Sequence, residues 1–107
     1  MTDKYHPSTQ KFLEILDEMR ALSLKKQADY GRATDPFANV RAAEDFGIAP
    51  WVGAAIRMND KMRRIQKAST LGADSLINDS LEDDFLDTAI YSCIALVMFR
   101  EGNSNDR

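Results

Sequence analysis

Ser80-Leu81-Glu82-Asp83-Asp84-Phe85-Leu86-Asp87-Thr88-Ala89-Ile90-Tyr91-Ser92-Cys93-Ile94-Ala95-Leu96-Val97-Met98-Phe99-Arg100-Glu101-Gly102 is the stretch whose reading decides the fold. Ser80 is placed to cap a helix, with Asp83 three residues on as an aspartate version of a capping box. The helix is expected to run to about Glu101 and to stop at Gly102. Its second half, Ile90 to Phe99, is apolar nearly all round. Such a helix lies centrally in a core or against another subunit. A chain of 12.0 kDa has few faces with which to cover it, so a homo-oligomer, dimer or tetramer, is expected. The apolar run from Phe85 to Phe99 contains Asp87 and falls short of a membrane span of about 20 residues.

The segments upstream carry the same helical period. Ala49-Pro50 reads as a helix start, with proline at the first helical position. Trp51, Ala55, Met58, Met62 and Ile65 follow in steps of four, three, four and three and form one apolar stripe. This helix is expected to fade near Ala68, with residues 69–79 as a loop. Asp35-Pro36 opens a short helix from about Pro36 to Phe46, ended by Gly47. Pro7-Ser8-Thr9 opens the first helix, with Ser8 or Thr9 as its cap. Phe12, Ile15, Leu16, Met19 and Leu22 give it an apolar stripe, and Tyr30-Gly31 closes it. No strand alternation or internal repeat interrupts this order. The expected fold is all-α: a small helical bundle of three longer helices plus one short one, in a single domain over residues 1–107, with its core at about 8–101 and a polar tail.

Composition narrows the function classes. The length of 107 residues fits one domain. The formal net charge of -3 and a pI near 5.1 argue against nonspecific nucleic-acid binding, which needs a basic balance. The single cysteine, Cys93, rules out an internal disulfide and reads as a core residue. Met1 to Pro7 has no apolar signal core, so a cytoplasmic location is expected. No Ser-His-Asp grouping, phosphate-binding glycine loop or zinc spacing is present.

The remaining chemistry is charge on helices. Asp83, Asp87 and Tyr91 stand at i, i+4 and i+8 and share a side of the last helix. Asp84 and Asp87, at i and i+3, lie close by. Clustered carboxylates repel one another unless a cation offsets them, and magnesium suits such oxygen ligands. The alternative for Glu82, Asp83 and Asp84 is that they complement the helix dipole in the first turn. Asp87, two turns in, has less to gain from the dipole. On the third helix Arg57, Asp60, Lys61 and Arg64 share one face. Three cations there suit a polyphosphate, arginine offering forked hydrogen bonds; otherwise they are a solvated charged face. An antiparallel helix pair would bring the cationic and acidic faces together, either as a salt-bridge network or around a metal–phosphate ligand. Asp29 is unusual at a helix C-terminus, which prefers cations. Arg41 flanks a loop, and loops often carry binding residues. Glu14, Asp17 and Glu18 read as solvated surface. Trp51, Met58 and Met62 read as core.

Four segments together resemble a family. They are Lys26-Gln27-Ala28-Asp29-Tyr30-Gly31, Asp35-Pro36-Phe37-Ala38-Asn39-Val40-Arg41, Arg57-Met58-Asn59-Asp60-Lys61-Met62-Arg63-Arg64, and Glu82-Asp83 with Asp87 and Tyr91. In this order, over about residues 12–101, they look like small phage and bacterial proteins labelled nucleotide-modification-associated. Those proteins look like distant relatives of the all-α, MazG-like NTP pyrophosphohydrolases. MazG-like enzymes cut an NTP between its α and β phosphates, with magnesium held by helical E-x-x-E and E-x-x-D motifs. Asp84-Phe85-Leu86-Asp87 is a partial match to the second motif. The first is absent from the third helix, which offers Asp60-Lys61 and Arg64 instead. The resemblance implies a nucleotide-processing protein, in the host cytoplasm if phage-encoded. Asp87 and Asp83 would be catalytic. Glu82, Asp83, Asp87 and Asp60 would hold magnesium or manganese. Lys61, Arg64, Arg57, Asp29, Tyr30, Arg41 and Tyr91 would contact the nucleotide. The expected alternatives are a nucleotide-binding module without catalysis and a purely structural partner protein.

Overall fold

A computed structural model describes residues 5–30, 35–72, 74 and 80–104, without the side chains of Gln27, Asp29, Tyr30 and Ser104. Every regular element among the described residues is helical: α1 (Pro7–Tyr30), α2 (Ala38–Arg41) continued by a 3-10 turn (Ala42–Phe46), α3 (Pro50–Leu71) and α4 (Leu81–Ser104). The all-α class and the order of three long helices and one short one are as the periodicity predicts. No helix among the described residues is long and apolar enough to cross a membrane. The chain divides into two compact units, Met1–Pro36 and Phe37–Arg107.

In the first unit, α1 starts two or three residues earlier than a Ser8 or Thr9 cap would set it. Ser8 donates its backbone N–H to His6 Nδ1 at 3.0 Å, and the Gln10 N–H reaches the His6 carbonyl at 3.1 Å. His6 therefore does the capping and Pro7 takes the first helical position, where its missing N–H is no loss. Ser8 and Thr9 lie within the first turn rather than before it. Glu14, Asp17 and Glu18 are exposed, as read from their place off the apolar stripe. Phe12, Ile15 and Leu16 of that stripe are exposed as well, since a single helix cannot bury its own face.

In the second unit, Phe37 rather than Asp35 precedes the short helix, its carbonyl accepting from the N–H groups of Val40 and Arg41, both at 3.0 Å. One α turn tightens into the 3-10 turn and stops at Gly47. There φ is 74°, a left-handed conformation that glycine adopts without strain. The Ile48 N–H bonds the Ala43 carbonyl and the Gly47 N–H the Glu44 carbonyl, the paired closure of a Schellman motif. α3 begins at Pro50 as its sequence signal requires but passes the expected end at Ala68 to reach Leu71. Ser69 and Thr70 look like loop residues, yet both hydroxyls donate to the Gln66 carbonyl, at 2.7 and 3.2 Å. They thereby satisfy the last turn instead of breaking it. α4 likewise runs through Gly102 to Ser104. Ser80 caps it as expected, its Oγ accepting the Asp83 N–H at 3.0 Å.

The core of this unit is small. Val40, Ala54 and Met98 are buried together, with Phe37, Ile94 and Ala95 against them. It joins the short helix to the start of α3 and the end of α4. The close approach needs Gly53: a Cβ there would lie 3.0 Å from both the Ala43 Cβ and the Val40 carbonyl oxygen. Trp51 meets Phe99 edge to face at 6.1 Å between ring centres. The apolar stripe read from α3 is corrected here, because Trp51 and Met62 stay 42% and 40% exposed. The packed face is rotated by one position, onto Ala54, Met58, Lys61, Ile65 and Ala68. Hydrophobicity alone favours the stripe holding the larger apolar side chains. The structure instead turns toward α4 the face whose cations have partners there. Cys93, expected in the core, is exposed on α4 together with Phe85, Leu96, Val97 and Phe99.

Candidate functional site

α3 and α4 pack as an antiparallel hairpin, and three polar pairs run along their seam. The Arg57 Nη2 donates to the Tyr91 hydroxyl at 3.5 Å, with its guanidinium carbon 5.7 Å from the ring centre. Lys61 Nζ lies 3.1 Å from Asp87 Oδ2. Arg64 Nε lies 3.0 Å from Asp84 Oδ1. A step of four and then three along α3 is answered by the same step back along α4. The three pairs therefore share one register, and neither helix drifts out of it.

The seam grades from open to buried. Arg57 is exposed and Tyr91 half-buried. The Lys61 and Asp87 side chains keep 20% and 31% of their surface. Arg64 keeps 29%, and Asp84 keeps none. Asp84 is the one buried charged residue among the described residues. Its Oδ2 is buried as well and accepts no hydrogen bond from the described residues. One side of it is closed by its own helix, where the Thr88 hydroxyl donates to the Asp84 backbone carbonyl at 2.7 Å. A buried carboxylate with one oxygen unanswered is a net loss of stability unless something else requires it.

The sequence-derived site residues separate cleanly on this geometry. Arg57, Lys61, Arg64, Asp87 and Tyr91 come together in the seam. Asp83, Glu82 and Asp60 are exposed and are not members of these pairs. Asp83 contributes its backbone N–H to the Ser80 cap, so the first-turn role explains it. Arg41 sits on α2 and pairs with Glu101 near the end of α4 at 2.9 Å, away from the seam. Asp29 and Tyr30 belong to the last turn of α1, and their side chains lie outside the described residues. Asp84 is the seam residue that was not singled out as a site residue. Its signal was present: Asp84, Asp87 and Tyr91 step by three and four, the reverse of Arg57, Lys61 and Arg64.

Magnesium needs several oxygen ligands around one point. Among the described residues no three acidic, histidine or cysteine side chains gather closely enough to hold a metal ion. Asp87 and Asp84 face a lysine and an arginine, while Glu82, Asp83 and Asp60 are exposed. The donor set among the described residues does not fit the ion in this arrangement. What the seam offers instead is cationic nitrogen beside carboxylate, an arrangement in which an incoming anion competes with an internal one.

No protein-family model, no curated protein and no solved structure matches this chain.

Proposed function

We propose that this chain is a nucleotide-binding helical module, taking the phosphates of its ligand at the α3–α4 seam without a catalytic metal centre. The observation that supports this reading most is that two ion pairs, Lys61–Asp87 and Arg64–Asp84, lie along the seam of a hairpin with a small apolar core. Lys61 and Arg64, both part-buried, stand where a stabilising design would place apolar side chains. Buried ion pairs seldom improve on apolar packing of the same volume, so their place in the seam suits a ligand better than it suits stability. A phosphate group displaces Asp87 from Lys61, which is the solvent-reachable salt bridge of the seam. The identification of the phosphate as a nucleotide's rests on the resemblance of the four segments quoted above. Self-association through the exposed apolar face of α4 belongs to the same reading.

The test is a panel of NTPs and dNTPs, each with and without magnesium. Thermal unfolding and chromatography of products are followed on the same samples. A ligand at about 100 times its Kd stabilises by about 2.7 kcal/mol. For a chain of this size that raises the melting temperature by roughly 10 °C or more. Binding predicts such a shift with no product, and predicts that Asp87→Asn tightens the ligand by removing the internal competitor for Lys61. Release of monophosphate and pyrophosphate in magnesium, abolished by Asp87→Asn, would overturn the binding reading in favour of hydrolysis. No shift beyond that of matched salt would leave the seam as a structural ion-pair network.

A further inference from the structure

The seam holds two carboxylates three residues apart on α4, and their surroundings differ. Asp87 is part-exposed against Lys61, a flexible point charge. Asp84 is fully buried against Arg64, whose guanidinium is planar and binds oxygen in a fixed direction. The Arg64 side chain keeps 29% of its surface although its Nη2 is buried, so the pair is closed on the aspartate side and part-open on the arginine side. Asp84 is also tied into its own helix, since its N–H bonds the Ser80 carbonyl at 3.2 Å and its carbonyl accepts from Thr88. Its side chain is fully buried, so the carboxylate has little freedom to follow an arginine that moves. Oδ2 remains without a hydrogen bond among the described residues, which a purely stabilising pair would not leave in place.

We propose that Asp84 is a positioning residue, which holds the Arg64 guanidinium in one orientation so that a phosphate meets a preformed donor at the inner end of the seam. The inference rests on the binding reading above. Its consequence is a difference of sign. Asp87 competes with the ligand for a cation and opposes binding. Asp84 is shielded from solvent, does not compete, and supports binding by sparing the arginine an ordering step when the ligand arrives. The same loss of one negative charge therefore has opposite effects at two sites one helical turn apart.

The experiment measures affinity for inorganic tripolyphosphate, and for whichever nucleotide of the panel binds, in wild type, Asp87→Asn and Asp84→Asn at matched ionic strength. The expected result is tighter binding in Asp87→Asn and roughly tenfold weaker binding in Asp84→Asn, the size of one charge-assisted hydrogen bond lost. If both variants bind more tightly, only net charge matters and the positioning role is overturned. If folded Asp84→Asn binds as wild type does, Asp84 is structural and the role is likewise overturned. Should Asp84→Asn not fold, Arg64→Lys replaces it, because it keeps a positive charge beside Asp84 and removes only the planar guanidinium that Asp84 orients. Roughly tenfold weaker binding in that protein is expected, and wild-type affinity overturns the role. Failure of wild type to bind anything in the panel is a different outcome, which removes the binding reading itself.

Discussion

Arg64 and Asp84 form one pair, yet removing either partner is predicted to cost very different amounts. In Arg64→Met the Asp84 carboxylate keeps its fully buried place and loses the one donor that faces it among the described residues. Breaking a buried pair in this way costs about 3–5 kcal/mol. The low end, about 3 kcal/mol, applies here, because the arginine side is 29% exposed and lets water approach once the guanidinium is gone. In Asp84→Leu the arginine is the survivor, and its open side can turn to solvent. That loss is about 1–1.5 kcal/mol, the worth of a single hydrogen bond. The double variant removes both charges, and methionine is shorter than arginine, which leaves room for the added bulk of leucine. It is predicted to be at least as stable as wild type, as apolar replacement of buried pairs often is. Urea unfolding followed by Trp51 fluorescence reports on this unit, since the indole packs on Phe99 of α4. With a slope of about 1.5 kcal/mol/M, Arg64→Met moves the midpoint down by about 2 M and Asp84→Leu by about half as much at most. Equal midpoints for the two single variants would refute the asymmetry drawn from their burial. A double variant less stable than Arg64→Met would refute the view that the pair is held at a cost to stability.

Two further substitutions test the frame around the seam. Gly53→Ala gains about 1 kcal/mol of helix propensity, but its methyl meets the Ala43 Cβ and the Val40 carbonyl at 3.0 Å. Overpacking of this kind costs about 1–3 kcal/mol, so the net prediction is a lower urea midpoint, and a higher one would mean the short helix does not sit this close to α3. Ser80→Ala removes the acceptor of the Asp83 N–H and is expected to cost about 1 kcal/mol, with Ser80→Asp restoring most of it. An unchanged midpoint in Ser80→Ala would show that α4 starts elsewhere.

The helices were legible in the sequence because their punctuation is local. Pro50 at the start of α3, Gly47 after the 3-10 turn and Ser80 before α4 act within one turn of themselves, and no distant residue alters what they do. The ends that were misplaced were decided by a second role of the same residue types. Ser69 and Thr70 belong equally to loops and to the last turn of a helix, and their bond to the Gln66 carbonyl settles the matter only once the chain is folded. His6 lies before a proline, with nothing in its type to mark it as a cap.

The choice between Asp83 and Asp84 turned on a different kind of information. Asp83, Asp87 and Tyr91 share a side of an isolated helix, but two steps of four carry the line round by about 80°. Asp84, Asp87 and Tyr91 span seven residues and drift by only about 20°, so they alone keep facing a straight partner. A helix read by itself offers no reason to prefer the second set. The reason lies in α3, where Arg57, Lys61 and Arg64 also span seven residues. Two seven-residue sets of opposite charge order, on helices joined by a short connection, can lie against each other in one antiparallel register with every member paired. Charge matching across two helices therefore selects a face that apolar content does not, and it does so against the larger stripe of Trp51 and Met62. The same matching draws Asp87 and Asp84 onto lysine and arginine, which is why the donor set the resemblance implied for a metal is dispersed while three of the four cations it implied for a phosphate, Arg57, Lys61 and Arg64, stand together.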